Sequence, residues 1–224
     1  MLTLTTLIAM LTGNAAELDF YVSARGSQTN VLSKADIDFQ KITEVPGNHI
    51  DINDDFNNWL LGGQLAVGMS PWSNKNIRHE LGYFIVDKQI SSINIELAGV
   101  PATYTLGKKA QSLLFNTYYD FPRVDKITPY IGAGIGIAFL DEDANDATWS
   151  RIWSDYAITF AYAFIFGIEY DWGERLTVDI ISRYFDLGCP NNAANAVNAH
   201  LGYNAATGLR VDGFDIAIGL RYTF

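Results

Sequence analysis

The sequence has a single cysteine, no long hydrophobic run and few basic residues. Cys189 stands alone among 224 residues, so an intrachain disulfide and a zinc site built on paired cysteines are both excluded. No apolar stretch approaches the roughly 20 residues that a membrane-spanning helix needs. The chain has 15 Lys and Arg against 25 Asp and Glu, a formal net charge of −10. Nucleic-acid binding requires clustered basic residues, so we expect no nucleic-acid partner.

Catalytic and cofactor motifs are also absent from the sequence. The three histidines are His49, His79 and His200, and none has the spacing of a metal-hydrolase helix. Some small membrane barrels modify lipids with a His and a Ser, but Leu81 stands where His79 would need that serine. The run Gly132, Gly134, Gly136 lacks the lysine of a phosphate loop. We therefore expect no cofactor and no enzymatic activity, with a lipid-modifying enzyme as the less favoured alternative.

The residues that are abundant favour strands. Aromatic residues make up 13% of the chain, which also has 19 Gly, and aromatic and β-branched residues are enriched in strands. Stretches of about 10 residues alternate between apolar and small or polar side chains, which is typical of transmembrane barrel strands. Eight such segments are predicted. They span residues 17–27, 59–69, 76–86, 111–121, 127–140, 156–171, 174–186 and 209–224.

The connections between these segments alternate in length. Gaps 70–75, 122–126 and 172–173 are short, whereas 28–58, 87–110, 141–155 and 187–208 are long. Short turns at one end and long loops at the other are the pattern of outer-membrane barrels, with the short turns in the periplasm. The sequence therefore predicts an all-β fold, an eight-stranded antiparallel up-and-down transmembrane β-barrel.

Side-chain volume predicts which face of the strands meets lipid. A soluble barrel of the lipocalin type would turn its apolar face inward around a ligand. The interior of eight strands is just wide enough for side chains, and the apolar face here carries too many Phe, Tyr, Ile and Leu to fit inside. We therefore expect the bulky residues to face lipid and the small residues, with a few charges, to fill the interior.

The charged residues on the small-residue face have nearly matched signs. Buried charges are tolerated when they are paired and hydrogen-bonded, so we predict a lumen charge network and a filled lumen without a continuous aqueous pore. The predicted members are Asp19, Arg25, Arg78, Glu80, Asp120, Glu169, Arg175, Asp179, Arg183, Asp215 and Arg221.

One predicted loop is strongly acidic. Asp141, Glu142, Asp143 and Asp146 would suit a calcium ion through their carboxylate oxygens. Their spacing does not match an EF-hand, and a solvated charge run is the favoured interpretation.

Both ends of the chain carry export features. Residues 1–16 combine a short apolar stretch with small residues before a polar start, and they are interpreted as a signal peptide, although a basic first region is lacking. Residues 17–224 would then form the barrel domain. At the other end, alternate residues Ile218, Leu220, Tyr222 and Phe224 are apolar and the last is aromatic. We interpret these four as the assembly signal of an outer-membrane protein.

Five short motifs lie in five of the eight predicted strands. They are Arg78-His79-Glu80-Leu81-Gly82-Tyr83, Asn116 with Tyr118-Tyr119-Asp120-Phe121, Pro129 to Gly136, Arg183-Tyr184 with Asp186-Leu187-Gly188, and Gly219 to Phe224. In this order they resemble the opacity or surface-antigen type of outer-membrane β-barrel family.

That resemblance implies a transmembrane protein of the bacterial outer membrane with variable surface loops. It implies an adhesin-like or antigen-like role through those loops, and the alternative is a porin-like channel for small solutes. The expected partners are outer-membrane lipids and lipopolysaccharide, the barrel assembly machinery, and a ligand on a host or neighbouring cell. The chain is expected to be a monomer.

Overall fold

The computed structural model describes residues 18–37, 49–52, 59–71, 76–97, 100–145, 151–188 and 207–224. Nine strands account for most of these residues. They are β1 (Leu18–Ile37), β2 (His49–Ile52), β3 (Trp59–Pro71), β4 (Ile77–Leu97), β5 (Val100–Asp120), β6 (Ile127–Asn145), β7 (Arg151–Asp171), β8 (Leu176–Asp186) and β9 (Thr207–Thr223). Among the described residues, no helix is long and apolar enough to cross a membrane.

Eight of the strands form a closed antiparallel ring. β1 pairs with β3 on one side and with β9 on the other, and the pairing of β4 with β5 closes the sheet. The short β2 lies on the same side of β4 as β3 but farther along it, with His49 opposite Glu96. Closure leaves no unpaired edge in lipid, where unsatisfied backbone groups are costly. The predicted eight-stranded barrel is confirmed.

The predicted loop 87–110 is wrong. β4 continues to Leu97 and β5 begins at Val100, so these residues form a paired hairpin, with a register shift between Val86 and Gln89. Each of these strands has 21 residues, whereas a bilayer needs roughly 9–11. Outside lipid, neither face of a strand has to be apolar. Strand pairing there does not require apolar and polar residues to alternate, so the sequence carries no strand signal.

Two other long loops are also shorter than predicted. β1 runs to Ile37 and β2 lies inside the predicted loop 28–58, while β6 and β7 shorten the loop 141–155 to residues 146–150. Most of the loop 187–208, with Cys189 and His200, lies outside the described residues, as does the predicted signal peptide 1–16.

The turn between β5 and β6 is tight. Val124 and Ile127 exchange two backbone hydrogen bonds across Asp125 and Lys126, at 2.9 and 3.0 Å. Asp125 adopts a positive φ of 57°, which aspartate tolerates better than most residues do. This short connection lies at the end of the barrel where β1 begins and β9 ends.

The two faces of each strand are divided as the alternation predicts. On β7 the exposed or half-buried outer residues are Ile158, Phe160, Tyr162, Phe164, Phe166, Ile168 and Tyr170. Ala161, Ala163, Ile165, Gly167 and Glu169 between them are buried. The bulky apolar side chains therefore face outward, as they do in a membrane barrel.

The interior also contains large rings that the sequence pattern does not anticipate. Tyr118 and Tyr130 are buried inside the barrel, and their rings meet edge to face with centroids 5.5 Å apart. Both rings lie against glycines of neighbouring strands. A Cβ added at Gly132 would overlap the ring of Tyr118, and one at Gly167 would overlap the ring of Tyr130. The inward glycines thus make room for aromatic side chains from the next strand.

Candidate functional site: the barrel interior

Arg25 on β1 lies at the centre of the interior. Its Nη1 donates to Glu80 Oε1 at 2.9 Å and its Nε donates to Asp179 Oδ2 at 2.8 Å. Glu80 also accepts hydrogen bonds from Tyr118 Oη at 3.0 Å and from Ser23 Oγ at 3.2 Å. Side-chain exposure of Arg25, Glu80 and Asp179 does not exceed 2%. β1, β4 and β8 therefore meet through one set of charge-assisted hydrogen bonds.

Gln64 on β3 connects this set to a second ion pair. Its Oε1 accepts from Arg183 Nη1 at 2.9 Å, while its Nε2 donates to Glu80 Oε1 at 3.2 Å. Arg183 donates through its Nε to Asp215 Oδ2 at 3.2 Å. The sequence interpretation selected charged residues and missed Gln64. Gln64 lies on the inward face of the segment 59–69, level with charged residues of neighbouring strands. This position is the sequence signal that could have added it to the predicted lumen network.

A third group lies nearest the short turns. Arg78 Nε donates to Asp120 Oδ2 at 2.7 Å, and Arg78 Nη2 lies 2.9 Å from Glu169 Oε1. Arg221 Nη2 donates to Glu169 Oε2 at 2.7 Å. The guanidinium of Arg78 also lies 4.8 Å from the ring centroid of Tyr130, within the range of a cation–π interaction.

We call the nine charged residues of these three groups the polar layer. Its members are Arg25, Arg78, Glu80, Asp120, Glu169, Asp179, Arg183, Asp215 and Arg221. All nine belong to the set named from the sequence. They occupy the half of the barrel nearest the short turns.

Two residues of the predicted set lie elsewhere. Arg175 precedes β8 in the turn and is exposed, with its Nη1 3.5 Å from Tyr222 Oη, so its assignment to the lumen is wrong. The predicted segment begins at residue 174, whereas the strand begins two residues later, at Leu176. Asp19 is half-buried at the start of β1, and no ion pair joins it to another described residue.

Above the polar layer the interior is mostly apolar, although Ser112 is buried between Ala110 and Leu114 on β5. We call this cluster the apolar layer, and its buried members are Val31, Phe84, Val86, Ala110, Leu114, Ala138, Leu140, Ala161, Ala163, Phe185, Leu187 and Val211. The rings of Phe84 and Phe185 lie 5.7 Å apart between centroids. The guanidinium carbon of Arg183 is 3.9 Å from the ring centroid of Phe84, which joins the two layers. The sequence analysis did not predict this layer.

Two further ion pairs lie toward the ends of the strands that are farthest from the short turns. Lys88 Nζ lies 2.6 Å from Asp143 Oδ1, and Arg210 Nε donates to Asp186 Oδ2 at 3.0 Å. Asp143 is buried whereas Asp141, two residues before it, is exposed. The Asp143 carboxylate is paired with Lys88 and Asp146 lies outside the described residues, so the described part of the chain does not support the calcium alternative. No group of three or more His, Cys, Asp or Glu side chains in the described residues is arranged to hold a metal ion.

The predicted assembly signal and His79 lie on the outer wall. Leu220 and Phe224 are exposed on β9 and just after it, and the backbone N–H of Phe224 donates to Phe20 O at 3.0 Å. Ile218 and Tyr222 are also exposed outward. His79 stacks on Phe115 with ring centroids 5.7 Å apart.

A closed antiparallel sheet with an apolar outside and an ion-paired inside defines a transmembrane β-barrel. The whole chain, residues 1–224, matches the family described as the outer membrane protein beta-barrel domain, and it belongs to that family. The resemblance drawn from the five motifs is confirmed, and the protein is one of the bacterial outer membrane.

Curated relatives match about half of the chain. An uncharacterized protein of Brucella abortus is 32% identical over 132 residues, which are 49% of this chain and 45% of the relative. Outer membrane protein PagN of Salmonella typhimurium is 27% identical over 117 residues, 50% of this chain and 48% of PagN. The chain thus spans about half the length of the curated relatives that it matches.

Solved structures share the fold. The crystal structure of Neisserial surface protein A matches with a TM-score of 0.51 and 14% identity, over 92% of this chain and 97% of that chain. At this identity the match supports the architecture alone.

Proposed function

We propose that this barrel is closed to solutes and acts through the strand ends and loops that it displays outside the cell. The filled interior carries this proposal. The polar layer and the apolar layer follow one another along the barrel axis, and the side chains of Arg183, Phe84 and Leu140 within them are at most 1% exposed. An aqueous path would have to pass both layers.

The extended strands support the display part of the proposal. β4, β5 and β7 have 21 residues each, so about half of each strand extends beyond the roughly 9–11 residues that span lipid. The hairpin of β4 and β5 thereby reaches past the headgroups. Binding functions are commonly placed on connecting segments carried by a rigid scaffold, and the ligand we infer is one on a host or neighbouring cell.

A channel for small solutes is the alternative, and conductance separates the two functions. Purified, folded protein in a planar bilayer should give no discrete current steps, while a porin measured in the same bilayer gives them. Steps of uniform size from this chain would refute the closed barrel. Adherence of bacteria producing the chain, compared with bacteria producing a variant shortened at the β4–β5 hairpin, tests the display role. Equal adherence would count against that hairpin as the binding element.

The remaining partners follow from the same proposal. The chain would reach the membrane through the barrel assembly machinery, contact lipopolysaccharide in the outer leaflet and remain a monomer. We infer no catalytic role. His79 Nδ1 lies 3.1 Å from Thr117 Oγ1 on the lipid-facing wall, and the His79 ring stacks on Phe115. Unchanged lipid A in cells that overproduce the protein would agree with this inference, and altered lipid A would oppose it.

A further inference from the structure

The outer wall carries a cleft that crosses β4, β5, β6 and β7. Its volume is about 300 Å³, and it is lined by Tyr83, Lys109, Gln111, Phe139, Asp141 and Tyr156. Pockets that hold small molecules begin at roughly this volume. The cleft is therefore large enough for one compact chemical group. Its mixture of charged, amide and aromatic side chains differs from the apolar wall below it.

The cleft lies at the boundary between lipid and water on the extracellular side. Below it, the outward residues Ile137 and Phe160 are apolar and exposed. At its level and above, the exposed residues include the polar Asp87, Asp141 and Ser154 together with Tyr156 and Ile90. A change from apolar to charged outward residues marks the level at which lipid headgroups lie. The polar groups of the cleft therefore face headgroups.

The pairing of the strands places these side chains in two rows. Lys109, Asp141 and Tyr156 are direct neighbours across β5, β6 and β7, and Gln111 lies opposite Phe139 in the row below. The rings of Phe139 and Tyr156 stack with centroids 6.4 Å apart and planes 20° apart. Hydrogen-bonded strands hold both rows, so the arrangement is preformed.

The cleft offers one group for each part of a phosphorylated sugar. Lys109 is a cation suited to phosphate, and the carboxylate of Asp141 accepts hydrogen bonds from hydroxyl groups. Tyr83 Oη donates to Gln111 Oε1, so the amide N–H groups of Gln111 are the donors left for a ligand. The stacked rings offer an amphipathic wall of the kind found at headgroup level.

We propose that this cleft binds the sugar-phosphate headgroup of an outer-leaflet glycolipid. This inference rests on the lipopolysaccharide contact in the proposed function and names the site of that contact. The proposed binding does not depend on whether the lumen is closed. Current steps in a bilayer would refute the closed barrel alone, and a failed lipid titration would refute this site alone.

The opposite boundary of the barrel offers a matched control. Lys126 lies in the turn before β6, with its Nζ 5.9 Å from the ring centroid of Tyr170. Lys126 is exposed whereas Lys109 is half-buried, but each lies near a tyrosine, and Lys126 lies at the periplasmic headgroups. Lys126→Gln removes the same charge next to the same type of ring. A generic effect of lysine on the membrane interface would appear in both variants.

The test measures thermal unfolding of the folded barrel in detergent micelles during titration with purified lipopolysaccharide. A ligand that binds the folded state raises Tm as its concentration passes Kd. We expect Lys109→Gln to weaken the apparent affinity about tenfold or more, since a hydrogen bond to a charged group contributes roughly 1.5–3 kcal/mol. Lys126→Gln should leave the titration unchanged. Phosphatidylglycerol and dephosphorylated lipopolysaccharide should bind more weakly to the unaltered chain.

Four results would overturn the proposal. An unchanged titration for Lys109→Gln would remove Lys109 from it, and an equal loss for Lys126→Gln would reduce the effect to interface charge. Equally tight binding of phosphatidylglycerol would remove the sugar from the ligand. A soluble headgroup saccharide that binds as tightly as the lipid would refute the commitment to a membrane ligand. Tyr156→Ala is an independent test of the site, because it removes one of the two stacked rings without changing the charge of the cleft.

Discussion

Individual glycines on the inner face decide which aromatic rings the barrel can hold. Gly167→Ala would place a Cβ against the ring of Tyr130, which is fully buried and has no room to withdraw. We expect a loss of about 1–3 kcal/mol in unfolding free energy, the usual cost of overpacking. Gly26→Ala is the control, because its Cβ would meet no atom within 4 Å. Denaturant unfolding in micelles measures both, and equal stabilities would contradict the packing role.

Removing one member of a buried ion pair should cost more than removing both. Arg183 and Asp215 have side-chain exposures of 1% and 0%. Asp215→Leu leaves the Arg183 guanidinium unbalanced, which typically costs about 3–5 kcal/mol, whereas apolar replacement of both partners is often close to neutral. The double variant Arg183→Met with Asp215→Leu should therefore be more stable than Asp215→Leu alone. The denaturant midpoints of the two variants measure the difference. A double variant that is less stable than Asp215→Leu alone would contradict this prediction.

The nine charges of the polar layer could be found from the sequence because each interrupts a face of small residues. The contacts that these nine residues make with one another could not be predicted from the sequence. Gln64 carries no charge, yet it joins Arg183 to Glu80 across the lumen. Arg175 fits the alternation but precedes the first paired residue of β8. Partners across a barrel depend on register between strands, which a period of two in one strand does not encode.

At the scale of strands, alternation is informative only where lipid lies on one side. β7 and β9 could be assigned to within a few residues because their outer faces are continuously apolar inside the membrane. The hairpin of β4 and β5 beyond Gln89 and Lys108 is paired by backbone hydrogen bonds in water. Ser91, Ser92, Asn94 and Pro101 in it resemble loop residues. Strand length outside lipid was therefore not predictable from composition.

The extracellular part of the β4–β5 hairpin should be dispensable for folding. Residues 91–106 can be replaced by Asn-Gly, because Ile90 and Gly107 are opposite each other in the pairing and this dipeptide favours a two-residue turn. We expect the shortened chain to retain heat-modifiable mobility on gels. As a control, deleting Gly82–Tyr83 with Leu113–Leu114 shortens the same strands inside lipid and should abolish folding. A shortened hairpin that fails to fold would make this extension part of the core.

The last residue of the chain should matter for assembly more than for stability. Phe224 is 69% exposed, and its side chain touches Tyr222 edge to face with centroids 5.5 Å apart. Phe224→Ala should change unfolding free energy by no more than about 0.5 kcal/mol, as surface substitutions do. In cells it should lower the assembled fraction severalfold if the C-terminal residues are the assembly signal. Phe214→Ala alters an outward aromatic of the same strand and should assemble normally. Equal assembly of both variants would count against the signal.

At the scale of the whole molecule, the closed barrel that we propose has two different layers in series. The polar layer fills the half nearest the periplasm with ion pairs, and the apolar layer fills the extracellular half with packed side chains. The cost of desolvation would exclude ions from the apolar layer, and lack of space would exclude them from the polar layer. If each layer interrupts the water column by itself, as we propose, opening one should leave the other closed.

This arrangement predicts how conductance responds to enlargement of the lumen. Phe84→Ala with Phe185→Ala opens the apolar layer, and Gln64→Ala with Tyr118→Ala opens the polar layer without removing a charge. We expect neither pair alone to give current steps in a planar bilayer and the combined variant to conduct. Each Phe→Ala change costs roughly 3–5 kcal/mol, so heat-modifiable mobility must first establish which variants are folded. Steps from either pair alone, or silence from a folded combined variant, would show that the lumen is not closed by two independent layers.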